Sequence, residues 1–299
     1  MIAIFGPTGV GKTRVAVALA ERLRAEGEDP VAVSADALQV YDGLPILSGA
    51  ATEAEQARLE HRLVGFVPIA ESFSAGAYAT LAHTEIDAAL ATGRRPLVIG
   101  GTGLYLRAAL AKLDLRPPVP AARQQRQREL TAHGPEALHA ELARRAPAVA
   151  AGIAPADGRR VVRALELLDS GIEPPAAGGG DSQLWAADTR HPTLLAGLAM
   201  DREALYERVE RRIDAMIEAG AIDEVKRADA NRASSTARKA LGFQELLAGD
   251  VGAMKAATRR YVKRQLTWMR KLPEVRTVDV TGRDPQDVAA ELHAIMRDP

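Results

Sequence analysis

The chain has 299 residues, 47% of them hydrophobic and 26% charged, with 39 Lys+Arg against 39 Asp+Glu. This is a globular composition, long enough for one large domain or two modest ones. A formal charge of zero excludes a uniformly basic nucleic-acid coat, although a local basic patch remains open. The chain contains no Cys, which excludes disulfides, Cys-ligated zinc, iron–sulfur clusters and a thiol nucleophile. No apolar run reaches the ~20 residues of a membrane span. Met1 leads directly into a predicted strand, with no room for a signal peptide. A cytoplasmic protein that makes no membrane contact is expected.

Residues 2–5 (IAIF) form a short, continuous apolar run ending at Gly6, the pattern of a buried parallel strand. The segment that follows, Gly6-Pro7-Thr8-Gly9-Val10-Gly11-Lys12-Thr13, satisfies G-x-x-x-x-G-K-[ST]. Val15, Ala16, Leu19 and Leu23 then recur at helical spacing up to Gly27. Strand, loop and helix in that order make a phosphate-binding P-loop. Glycines let backbone N–H groups converge on phosphate oxygens, and the helix N-terminus adds its partial positive charge. Lys12 supplies a full positive charge, and the Thr13 hydroxyl can hold Mg²⁺. The motif specifies a phosphate chain and nothing more about the ligand.

Residues 31–36 (VAVSAD) predict a second strand ending in Asp36, and 96–101 (PLVIGG) a third that ends in glycines. Between them Ser74 caps a helix running to Gly93. In a parallel sheet the strand C-termini face the ligand crevice, so Asp36 is expected near the phosphates, where it can serve as metal partner, substrate clamp or general base. The pattern changes after residue 113. Breaker clusters at 117–120 (PPVP) and 172–180 (IEPPAAGGG) flank helical stretches at about 121–132, 136–145 and 158–169, the last capped by Asp157. Residues 114–188 therefore read as a helical insertion, with Gly178-Gly179-Gly180 as a candidate hinge. Residues 194–200 (LLAGLAM) return to a core strand, followed by an Asp201-capped helix to Gly220. Further helices are predicted at about 222–230, 242–248 and 252–271, then a strand at 275–280 and a helix at 284–298. The expected fold is α/β: a P-loop, nucleoside-triphosphate-hydrolase-like parallel sheet (1–113 and 189–299) carrying an all-helical insertion (114–188).

Two basic surfaces stand out. From Lys255 to Lys271 there are seven cations and no acid, a directed patch inside a neutral protein. Val262, Leu266 and Met269 should pack inward, while Tyr261, Arg264 and Trp268 form another stripe that suits base stacking or lies over the core. In the insertion, Arg159, Arg160 and Arg163 share about one helical turn and can meet phosphates, as can Arg123, Arg126 and Arg128.

Taken in order, GPTGVGKT (6–13), DALQVY (36–41), IGGTGLYLRAAL (99–110), RRVVRALELL (159–168), LYERVERRIDAMIEAGAIDEV (205–225), ALGFQE (240–245) and TRRYVKRQLTWMR (258–270) resemble the tRNA dimethylallyltransferase (tRNA isopentenyltransferase) family along nearly the whole chain. Those enzymes move a dimethylallyl group from dimethylallyl pyrophosphate to N6 of the adenine beside the tRNA anticodon and release pyrophosphate. The resemblance implies that residues Gly6 to Thr13 cradle the pyrophosphate, with Mg²⁺ on Thr13. It implies three catalytic residues: Asp36 as the base, Thr102 beside the reacting centre, and Arg212 supporting the pyrophosphate. It implies tRNA contacts at Asp36, Ala37, Leu38, Gln39, Thr102, Arg123, Arg159, Arg160, Val161, Val162, Arg163, Lys239, Gly242, Gln244, Arg259 and Arg264. The implied partner is an anticodon stem-loop, clamped between the helical arm and the core, and a monomer suffices. The chain departs from the family's usual pattern at Ala37, where Ser is common, at Gln244, and through 42–66. A small-molecule kinase on the same fold would account for residues 1–110 but not for the arm or the basic helix. A relative that prenylates free adenine nucleotides would share the chemistry. A non-catalytic RNA-binding protein would tolerate loss of Asp36.

Overall fold

The computed structural model describes residues 1–175 and 183–297; the Gly178–Gly180 hinge expected from the sequence lies outside them. The chain forms two compact units, Met1–Lys112 with Ala187–Pro299, and Leu113–Ala186. The first unit begins β1 (Ile2–Phe5), α1 (Lys12–Ala25), β2 (Pro30–Ser34), α2 (Pro45–Ser48), α3 (Glu53–Arg58), β3 (His61–Arg62), α4 (Ala75–Ala91), β4 (Arg95–Gly100) and α5 (Gly103–Leu110). The second unit contributes α6 (Pro120–Arg145), α7 (Pro147–Ala150) and α8 (Gly158–Asp169). The first then resumes with β5 (Leu194–Ala199), α9 (Arg202–Glu218), α10 (Ala221–Ala230), α11 (Phe243–Leu247), α12 (Val251–Lys271), β6 (Arg276–Asp279) and α13 (Pro285–Arg297). No helix among the described residues is long and apolar enough to cross a membrane.

The strands form one parallel sheet in the order β3-β2-β4-β1-β5-β6. β1 is covered on both faces, and all four of its residues are buried, which is why it reads as an unbroken apolar run and not as an alternating one. Parallel pairing puts the carboxyl ends of β1, β2 and β4 on one edge. Gly6, Asp36 and Gly101 follow those ends, so three loops distant in sequence meet there. β2 ends at Ser34, two residues before Asp36, so the carboxylate stands on the loop and not on the strand. Gly100 makes the closeness possible, because a Cβ there would fall 2.1 Å from the Ala35 carbonyl oxygen. Periodicity did not disclose the two-residue edge strand β3 or the short helices α2, α3 and α7.

The helical unit has its own core of Leu138, Leu142, Val161, Val162 and Leu165. Val161 and Val162 thus point inward, and their side chains are not part of an RNA-facing surface. α6 is two helices joined at Gly134 (φ 78°), immediately before Pro135, as the gap between the predicted 121–132 and 136–145 helices implied. Arg126 is also a structural residue and not a free cation. It is buried and bonds Asp169 (2.6 Å), Glu129 (2.7 Å) and Glu141 (3.0 Å), which hold its guanidinium above its ordinary pKa, the Asp169 hydrogen bond most of all. Arg163 bonds Glu166, the Arg116 carbonyl (2.6 Å) and the Pro117 carbonyl (3.1 Å), so it braces the entry segment of the unit. Replacing Arg126 with Ala leaves Glu129 without its arginine, and leaves Glu141 and Asp169 with Arg145 alone. The expected cost is about 3 kcal/mol, read as a lowered unfolding transition in calorimetry; an unchanged transition would contradict this structural role.

Candidate active site

The phosphate loop is shaped by what its residues cannot do. Pro7 has no N–H, and the Thr8 N–H is already donated to Gln265 Oε1 at 2.9 Å. The Val10 N–H turns back to the Pro7 carbonyl (3.3 Å). Gly9 (φ 84°) and Gly11 (φ 99°) take left-handed conformations that disfavour any side chain. Lys12 Nζ donates to the carbonyls of Gly6 (2.9 Å) and Pro7 (3.0 Å), which closes the loop on itself. Gly6, Pro7 and Thr8 therefore set the shape of the loop. The first amides of α1 have no intrahelical acceptor and are donors available to an anion.

Three charges converge at this edge. Burial pushes the Lys12 ammonium down to about 8, against the pull of Asp36 and with the push of Arg212. Burial likewise lowers Arg212, while Asp36 and then Glu55 oppose the shift. Asp36 is thus the anion common to both cations. Its Oδ1 accepts from the Leu38 N–H (2.9 Å), which fixes the carboxylate on its loop. The adjacent Ala37 N–H donates to Thr102 Oγ1 (3.4 Å), and the same hydroxyl meets the Tyr261 hydroxyl at 3.5 Å. Burial and the Asp36 charge push the Tyr261 phenol up to about 12, so it is neutral at physiological pH.

Arg212 is held by close packing. A Cβ on Gly49 (φ 58°) would fall 1.6 Å from an Arg212 guanidinium nitrogen, so the bare backbone of Gly49 lies against that group. The Gly49 carbonyl accepts from Gln39 Nε2 (3.2 Å), and Gln39 Oε1 accepts from the Ser34 hydroxyl (2.9 Å). The buried Glu224 secures this segment by accepting the Ile46 (2.9 Å) and Leu47 (2.8 Å) N–H groups. The structure therefore brings Asp36, Gln39, Thr102, Arg212 and the phosphate loop together within one unit.

α12 has two working faces. Inward, Tyr261 meets Thr102, Gln265 Nε2 donates to the Gly101 carbonyl (2.7 Å), and Trp268 packs so closely that a Cβ on Gly103 would fall 2.1 Å from its ring. Outward, Arg260, Lys263, Arg264 and Arg270 are exposed. Arg264 lies over the Tyr261 ring, 5.3 Å from its centroid. The Tyr261–Trp268 stripe thus abuts the site. Lys255 is paired with Asp214 (2.6 Å), and Arg259 with Glu210. Arg259, expected from the sequence to contact RNA, is paired with Glu210 on the surface. Lys239 and Gln244 are exposed, and Gly242 packs against Met254. In the second unit Arg159 and Arg160 are exposed, Arg160 lying 3.6 Å from Asp157, while Arg123 is half-buried. Gln265 and Gly49 were not singled out from the sequence. Gln265 had a signal, because an amide stands between Val262 and Met269 on the stripe that otherwise packs inward.

Among the described residues no cluster of three His, Cys, Asp or Glu could hold a metal. Thr13, in the first turn of α1, supplies a hydroxyl beside the phosphate loop.

A parallel sheet with this loop after β1 and a carboxylate on the neighbouring loop after β2 places the chain in the P-loop class of fold. Comparison with known proteins narrows the class. The IPP transferase family model matches residues 39–272. The tRNA dimethylallyltransferase of Acidothermus cellulolyticus is 37% identical over 302 residues, 97% of this chain and 92% of that protein. That of Bacillus subtilis is 35% identical over 296 residues, 94% and 91% of the two chains. The crystal structure of the full-length tRNA isopentenylpyrophosphate transferase from Bacillus halodurans superposes with a TM-score of 0.71 at 32% identity, covering 99% of this chain and 95% of that one. A eukaryotic dimethylallyltransferase captured acting on tRNA gives a TM-score of 0.76 at 25% identity, covering 99% and 77%. The chain belongs to the tRNA dimethylallyltransferase family.

The charge arrangement has a direct spectroscopic consequence. Lys12 is expected to titrate near pH 8 in carbon-detected NMR, well below an ordinary lysine at about 10.4. Asp36→Asn should lower that midpoint further and Arg212→Gln should raise it. A Lys12 midpoint above 10, or one that neither change moves, would refute this arrangement of charges.

Proposed function

We propose that this chain transfers a dimethylallyl group from dimethylallyl pyrophosphate to N6 of the adenine next to the anticodon of tRNA, with release of pyrophosphate. The observation that carries the reading is the place of Asp36, a carboxylate fixed by the Leu38 N–H on the loop after β2, whose next residue is bonded to Thr102 on the loop after β4. An adenine N6 amine is a poor nucleophile, because its lone pair is delocalised into the ring. The allylic carbon must therefore become electrophilic as the C–O bond to pyrophosphate weakens. Lys12, Arg212 and the amides at the start of α1 stabilise the negative charge that grows on the leaving oxygen. Asp36 accepts the proton that N6 loses as the new C–N bond forms. Thr102 and Gln39, bonded to the loops on either side of Asp36, hold the adenine edge. No covalent enzyme intermediate is needed.

Mg²⁺ fits this donor set through Thr13 and the substrate phosphates, and when bound it neutralises charge on the leaving pyrophosphate. The exposed cations Arg260, Lys263, Arg264 and Arg270 of α12 and Arg159 and Arg160 of the helical unit suit the phosphates of an anticodon stem-loop. The adenine must leave its stack to reach Asp36. All the reacting groups come from one unit of one chain, which supports action as a monomer, and the tRNA substrate supports a cytoplasmic site of action.

The test is product formation. Protein, Mg²⁺, dimethylallyl pyrophosphate and unmodified tRNA are combined, and the RNA is digested and its nucleosides weighed. An adenosine heavier by one dimethylallyl group is expected; its absence would overturn the reading. Gly49→Ala, which displaces the Arg212 guanidinium, should lower kcat/KM for dimethylallyl pyrophosphate by at least about tenfold, the loss of one charged interaction with the leaving group. Unchanged kinetics would remove Arg212 from the leaving-group site.

A further inference from the structure

Gln265 has no part in the roles described so far, and its environment asks for one. It is 4% exposed, on the face of α12 that also buries Thr258, Val262 and Met269. Thr258 returns its hydroxyl to its own helix, at the Met254 carbonyl (2.8 Å). Gln265 sends both ends of its amide off the helix, Oε1 accepting from the Thr8 N–H and Nε2 donating to the Gly101 carbonyl. A backbone N–H can only donate and a carbonyl can only accept, so the amide has one possible orientation. An apolar side chain of the same size would fill this position without the cost of burying an amide. What only the amide can do is tie the loop after β1 to the loop after β4.

We propose that Gln265 is a positioning residue for the pyrophosphate loop. It fixes the Thr8–Gly9 turn against Gly101–Thr102 and so sets the leaving-group cradle relative to the Thr102 hydroxyl. It also withholds the Thr8 N–H from the phosphates. Gly101 is shaped for this contact, since a Cβ there would fall 2.5 Å from Gln265 Nε2 and 3.3 Å from Lys12 Nζ. Tyr261 at Thr102 and Trp268 at Gly103 complete a contact in which one face of the basic helix grips three successive residues of the site. The role in transfer rests on the proposed reaction, whereas the role in shaping the loop does not.

Binding of inorganic pyrophosphate in magnesium buffer, followed by calorimetry on the full chain, needs neither tRNA nor transfer. Gln265→Met is expected to weaken that binding about tenfold, the worth of one to two hydrogen bonds, and to slow prenyl transfer while leaving tRNA affinity within about twofold. Val262→Ala removes packing from the same stripe but no polar tie, so it should lower thermal stability without changing pyrophosphate affinity. Wild-type affinity in Gln265→Met, or an equal loss in Val262→Ala, overturns the proposal. A second measurement needs no variant. In amide hydrogen exchange on the wild-type chain, Thr8 should be protected before pyrophosphate is added and gain nothing from it, whereas the first amides of α1 gain protection. A Thr8 amide that becomes protected only with pyrophosphate is a phosphate donor, and the proposal fails. A wild-type chain that binds pyrophosphate but prenylates no tRNA would refute the proposed reaction and leave the loop assignment standing.

Discussion

Lys12 and Arg212 are held largely out of water beside one shared carboxylate, and the rest of the site follows from the need to keep them there. Neither cation is fully satisfied by the protein. Burial lowers both, and the Asp36 charge opposes the shift in each. Two under-compensated cations at a helix N-terminus form a strong, preorganised anion site. The structural devices around them are restrictive ones. Gly49 gives up its side chain to seat Arg212, Gly100 and Gly101 give up theirs so that two strand ends can approach, and the Lys12 ammonium is anchored on two carbonyls of its own loop.

The parallel sheet explains why such distant residues cooperate. Its strand order places the ends of β1, β2 and β4 side by side, so the P-loop, Asp36 and Thr102 each begin a residue or two beyond a buried strand. α12 then closes the arrangement from above the strand ends with one face and presents guanidinium and ammonium groups with the other. A substrate with a diphosphate at one end of its reaction and an RNA base at the other matches these two faces.

Much of this was legible in the sequence, for identifiable reasons. The phosphate loop was legible because its glycines, lysine and flanking apolar strand are local. The sheet was legible because β1, β2, β4 and β5 are uninterrupted apolar runs, and the Asp157 and Asp201 caps stand where the periodicity begins. Asp36 could be placed by rule, at the end of a strand in a parallel sheet. Not legible were the contacts that depend on partners far along the chain. Arg126, Arg163 and Arg259 read as phosphate contacts in sequence, and in the structure they bond Asp169, the 116–117 carbonyls and Glu210. A basic residue declares its charge locally, but its partner is set by tertiary packing. Val161 and Val162 belonged to the hydrophobic stripe of α8 and not to its arginine face. Gly49 and Gln265 carry no motif at all, and only the close approach of Arg212 and of the Thr8 N–H reveals them.

The proposed reaction divides the labour: Lys12, Arg212 and the loop hold the leaving pyrophosphate, and Asp36 takes the proton. Comparing ligand binding with single-turnover transfer in Asp36→Asn separates the two roles. Removing a negative charge beside two cations should leave affinity for dimethylallyl pyrophosphate equal to or tighter than that of the unaltered chain. Transfer to tRNA should slow by at least about a hundredfold, the usual worth of a positioned base. A variant that loses affinity in proportion to rate, or transfers at the original rate, would contradict the account.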